Sequence, residues 1–171
     1  MTQVTETPRI YVACLASYNN GILHGEWIDL DGDIDETWNR INAMLKASPV
    51  EDAEEWAIHD YEGFGFRPSE YESIEHVHAC AEFILEHGEQ GAILLDYYSD
   101  LEEAKNALEN YAGAYEDLAD FARELTEETT VIPDNLGFYI DYERMARDME
   151  MSGDILSIQS SYNEVHVYWA H

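Results

Sequence analysis

Charge is the feature that most restricts how this chain can fold. Thirty-seven Asp and Glu face eight Lys and Arg, for a formal net charge of −29. Too few cations exist to pair the carboxylates, so most acids must stay in water. Repulsion among them works against any compact state. The core has to come from the rest of the chain. Hydrophobic residues make up 46%, with 12 Tyr, 4 Trp and 5 Phe, so apolar material suffices and a disordered acidic tail is excluded. At 171 residues the chain is long enough for one compact domain or two to three very small ones. A field of this sign repels nucleic acid and anionic membranes, and it attracts basic surfaces, of which nucleic-acid-binding grooves are the commonest large ones.

Patterning gives the elements. Residues 9–17 are β-branched and apolar and predict a buried strand, followed by a turn at 18–21 and a second strand over 23–30. Trp38, Ile41 and Leu45 recur at helical spacing within 35–49, and 54–64 reads as a strand. A helix is predicted over 68–88, with Ser69 and Glu72 as a capping box and Gly88 at its end. Further helices are expected at 100–112, 115–128 and 139–153, and an alternating hairpin at 154–160 and 164–170. The class is α+β. Composition breaks near 63–68 and 111–113 suggest domain boundaries.

Cys14 and Cys80 have no paired spacing and read as free thiols, which together with an N-terminus lacking a targeting pattern points to the cytoplasm. No run approaches the length of a membrane span.

The stretch IDLDGDIDETW at 28–38 looks at first like a calcium loop. An EF-hand needs acids at positions 1, 3 and 5, Gly at 6 and Glu at 12. Counting from Asp29 or from Asp31 puts Arg40 or Asn42 at the last position, so neither register works. A turn at Asp31-Gly32 and a helix cap at Asp33 or Asp35 account for some of these acids, and an irregular cation site stays open. His76, His78 and Cys80 alternate two apart and cannot share one metal on a helix. No GxSxG, P-loop, GxGxxG or HExxH occurs, and no catalytic constellation emerges. The expectation is a protein with no cofactor, no metal and no enzymatic activity.

The acids are instead spaced along helices. Glu116, Asp120, Glu124 and Glu128 recur every four residues, which on a helix sets a carboxylate about every 6 Å. Like charges so placed cost ~0.2–0.5 kcal/mol per pair. The helix predicted over 68–88 does something similar with Glu72, Glu75, Glu82 and Glu86, and Asp100, Glu102, Glu103 and Glu109 add a third set on the helix at 100–112. B-DNA carries one charge per ~1.7 Å, so the net charge equals in number that of roughly 14 base pairs. Single-sign faces suit an imitation of a phosphate backbone; they equally suit a solvated surface of a salt-adapted protein.

Four blocks go further. RIYVACLASYNNGILHGEWIDL (9–30), AEEWAIHDYEGFG (53–65) and YIDYERMARDMEMSGDI (139–155) resemble the ArdA family of antirestriction proteins, and NALENYAGAYEDLADFARELTEE (106–128) resembles the region of the family's antirestriction motif. The resemblance runs through nearly the whole chain. It implies proteins carried by mobile genetic elements that mimic bent B-form DNA and occupy the DNA-binding groove of type I restriction–modification enzymes, on the methyltransferase core. It implies an elongated two-fold homodimer of three small domains: an N-terminal sheet plus helix at 1–62, a central helical domain at 63–105, and C-terminal helices plus hairpin at 106–171. The alternative is an acidic mimic or adaptor for another DNA-binding protein, such as a nucleoid protein or polymerase. On either reading, Asp31, Asp33, Asp35 and Glu36 join the helix acids as candidate phosphate mimics. Tyr111, Tyr115, Leu118 and Phe121 of the motif are read as packing or dimer-contact residues, with direct target contact the other option.

Overall fold

A computed structural model describes residues 7–170. It is a mixed α+β protein. Among the described residues it holds seven α-helices and two three-stranded antiparallel sheets. The chain divides into two compact units, one up to Ala104 and one from Lys105.

In the first unit, strand β1 (Arg9–Cys14) lies between β2 (Gly25–Asp29) and β3 (Trp56–Glu62). Ile10 pairs with Ile28, and the β1–β3 register slips between Tyr11 and Val12. The strand predicted over 9–17 stops at Cys14. Residues Leu15–Asn19 wind into a short helix, α1, where Ser17 is buried and its hydroxyl meets that of Ser48 at 2.8 Å. Helix α2 (Ile34–Lys46) buries Thr37, Ile41 and Met44. Helix α3 (Ile74–His87) is longer and more apolar, and α4 (Glu89–Tyr98) packs on it. A hydrogen bond of 2.7 Å between Thr37 Oγ1 and His78 Nε2 ties α2 to α3 inside the core.

Helix α3 starts later than its capping signal predicts. Ser73, not Ser69, is its cap, accepting from the His76 N–H at 3.1 Å. Glu72 does bond the Ser69 N–H at 3.3 Å, but in a turn before the helix. Helix α4 is an addition to the predicted elements. Its local signal is obscured by two glycines that tertiary packing demands. Gly88 takes φ +64° between the two helices, and a Cβ on Gly91 would sit 3.0 Å from the Phe83 carbonyl oxygen of α3.

Helix α5 (Leu101–Glu109) spans the division between the units. In the second unit, strand β4 (Tyr111–Tyr115) pairs with β6 (Glu164–Trp169), which pairs with β5 (Ile155–Ser161). The hairpin β5–β6 is as expected; β4 is a correction, since the helix predicted over 100–112 includes its first two residues. The chain leaves α5 at Asn110, whose carbonyl accepts from the Trp169 N–H at 2.8 Å, and the sheet captures Tyr111 and the residues after it. Gly113 makes the irregular pairing with φ +141°. Helix α6 (Leu118–Thr129) begins three residues later than predicted, capped by Asp117. Helix α7 (Tyr142–Met151) begins after a 3-10 turn at Gly137–Tyr139, capped by Asp141. Phe121, Ile155 and Val167 centre the core, flanked by half-buried Tyr115, Leu118, Leu125, Met149 and Trp169.

Candidate functional site: the acidic helix faces

The α3 face is the most regular. Its inner side buries Ile74, Val77, Ala81 and Ile84, so the outer side is fixed in water. Glu75, Glu82 and Glu86 are exposed there. At 100° per residue, spacings of seven and four keep them within about 40° of one line, over about 16 Å of axis. The helix contains no Lys or Arg. Glu72 lies off this line, in the preceding turn, half-buried and 3.9 Å from His76 Nε2.

The four-residue row on α6 is shorter than the spacing suggests. Glu116 lies before the helix, ahead of the Asp117 cap. Asp120 is half-buried and pairs with Arg123 at 3.5 Å. Glu124 and Glu128, four residues apart on one side of the helix, are both exposed. Both act on Tyr115, whose phenol is pushed up first by burial and then by the Glu124 carboxylate beside it. On α5, Asp100 caps the helix, accepting from the Glu103 N–H at 3.0 Å, while Glu102 and Glu103 are exposed and Glu109 lies at the helix end.

At the start of α2, Asp33 is the cap, accepting from the Asp35 N–H at 3.1 Å. Asp31, Asp35 and Glu36 are exposed, and the Glu36 carboxylate folds over Gly32. The acids here point to solvent around a capped helix end. Among the described residues, no group of three or more His, Cys, Asp and Glu is placed to hold a metal ion.

Spacing within the predicted helices misses other acids. Glu89 and Asp96 sit on α4, and Glu143, Asp148 and Glu150 belong to α7. The α7 acids carry a signal that could have found them, because the pattern over 139–153 already predicts a helix.

Cations are used for cross-element ties. Arg9 on β1 pairs with Glu62 on β3 at 2.6 Å and lies 4.5 Å from the Trp27 ring centre. Arg40 on α2 pairs with Glu26 on β2 at 2.5 Å. These pairs tie β1 to β3 and α2 to β2, while on α3 the Glu86 carboxylate lies 3.7 Å from His87 Nε2.

The four motif residues lie at or beside the second core. The Tyr111 hydroxyl meets His166 Nδ1 at 2.8 Å, and its ring lies 5.2 Å from that of Tyr168. Tyr115 packs edge-on against Phe121 at 5.2 Å, and Phe121 against Trp169 at 5.7 Å. Phe121 is buried and Leu118 half-buried.

Fold and surface together define an acidic α+β protein that presents aligned carboxylates on well-seated helices. A family model supplies the rest: that of the ArdA antirestriction proteins matches residues 10–164. The chain belongs to the ArdA antirestriction protein family. Antirestriction is the function this membership implies. Comparison with curated proteins finds no match.

Proposed function

We propose that this protein blocks restriction as a non-catalytic mimic of B-form DNA, competing for the DNA-binding groove of type I restriction–modification enzymes at their methyltransferase core. The observation that carries the reading is the α3 face: Glu75, Glu82 and Glu86 in one line, with no cation on the helix. Groove Lys and Arg that meet phosphates in DNA would meet these carboxylates instead. By its family resemblance the proposed mimic has three small domains, 1–62, 63–105 and 106–171, in an elongated homodimer acting in the cytoplasm. One feature supports self-association. Val131, Phe138 and Tyr139 are largely exposed in the segment 131–140, VIPDNLGFYI, whose single charged residue is Asp134. Two copies of so acidic a chain meet at least cost where charge is sparse.

The test is competition. A labelled duplex bound to a type I methyltransferase core is titrated with the protein. Displacement at near-stoichiometric amounts, weaker as salt rises, is expected. Displacement from a nucleoid protein or polymerase, and from none of several type I enzymes, would move the reading to that other groove.

A further inference from the structure

An apolar turn stands out on the first unit. Tyr18, Ile22 and Leu23 are 54%, 41% and 87% exposed. The turn is built to hold them there. The Gly21 N–H bonds the Tyr18 carbonyl at 3.0 Å, and the Ile22 N–H bonds that of Ser17 at 2.9 Å. Gly21 takes φ +74°, a conformation that favours glycine. The Tyr18 ring packs edge-on against His59 at 4.8 Å, and His59 lies 3.5 Å from Glu70. Glu70 in turn is fixed by its carbonyl, which accepts from the Ile58 N–H at 2.9 Å.

The segments that build this surface, 17–24, 54–60 and 69–72, carry five carboxylates and no Lys or Arg. An apolar centre within an acidic rim is the composition of a recognition surface whose partner offers an apolar strip flanked by basic groups. A second copy of this chain would bring five like charges against five and is disfavoured.

We propose that the Tyr18–Leu23 turn docks on an apolar strip beside the basic groove of the target enzyme and supplies the salt-independent part of its affinity. This rests on the reading of the protein as a groove competitor. Carboxylates facing Lys and Arg give binding that weakens with salt and resembles what any polyanion would give. A buried leucine gives affinity that salt does not screen, and so selects one basic groove among many.

The experiment is the same competition titration with the full-length protein and Leu23→Ser, at about 50 mM and about 200 mM salt, where phosphate-type contacts change strongly. Losing a buried leucine side chain predicts binding weaker by about tenfold, by the same factor at both salts. Ile22→Ser is the second variant, and thermal unfolding of both checks that the fold is kept. If the parent displaces DNA and both folded variants match it at both salts, the docking surface is wrong while the competitor reading stands. If the parent displaces nothing, both fall. If Leu23→Ser changes the mass of the free protein in sedimentation, the turn joins copies of this chain and the proposal is overturned.

Discussion

The two units carry similar surfaces over different cores. Up to Ala104 there are 23 Asp and Glu against four Lys and Arg; from Lys105 there are 14 against four. The first unit sets its acids over a broad aliphatic interior in which Ile10, Val12, Ile28, Ile41, Val77, Ile84 and Leu94 have almost no contact with water. The second centres on Phe121, Ile155 and Val167, with rings and side chains around them only half-buried. A lattice of like charge is a larger fraction of the stability of a small core than of a large one. The comparison therefore teaches where like charge costs most: in the C-terminal unit, where three of the four cations, Arg123, Arg144 and Arg147, lie on two helices packed against each other, α6 and α7.

The strongest way to break this contrast is Phe121→Ala. Removing the ring at the centre of the small core is expected to cost ~3–5 kcal/mol. Hydrogen exchange should then show β6 losing protection while β1 keeps it. Equal loss in both would mean that the units do not stand separately.

Next in size is Thr37→Val. It removes the hydroxyl that partners His78 inside the first core, at a cost of ~1–3 kcal/mol. The same bond predicts a pH effect confined to that unit. Burial holds the His78 imidazole below its ordinary value of 6.5, against the smaller opposing pull of Glu82, Asp33 and Glu75. The unfolded chain thus takes up the proton first. Stability from His78 is complete above about pH 6.5 and is lost as pH falls through the lowered folded value. Urea midpoints measured downward from neutral pH should fall in the parent and fall less in His78→Gln.

Caps are smaller. Asp117→Ala should destabilise the second unit by ~1 kcal/mol, read as a lower unfolding temperature for α6. Smallest is Glu124→Gln, which relieves repulsion with Asp120 and Glu128. It should stabilise the second unit by ~0.2–0.5 kcal/mol per pair in low salt, and the gain should vanish at about 1 M salt. A gain that survives high salt would show that charge repulsion is not its source.

Much of the fold is legible in the chain. Periodic apolar residues give α2, α3, α6 and α7, and alternation gives the β5–β6 hairpin. Errors fall where distant contacts decide. Tyr111 continues a helical composition, yet the Trp169 N–H takes the Asn110 carbonyl and turns the chain into a strand. Gly91 weakens the local helix signal of α4, and its reason is the closeness of Phe83. The acid rows depend on those boundaries. Glu75, Glu82 and Glu86 line up because the apolar stripe fixes their helix through its middle, whereas Glu116 drops out because α6 starts at Leu118. Asp120 is partnered by Arg123, an i,i+3 pair that spacing on a helix already brings together.

The proposed mimicry turns on aligned carboxylates that stand in for phosphates. The most direct measurement is the binding constant for a type I methyltransferase core as a function of salt, for the parent and for Glu75→Gln/Glu82→Gln/Glu86→Gln. The logarithm of affinity is expected to fall linearly with the logarithm of salt, with a shallower slope for the triple variant. A parent line without slope, or a triple variant with the parent's slope and affinity, would contradict it.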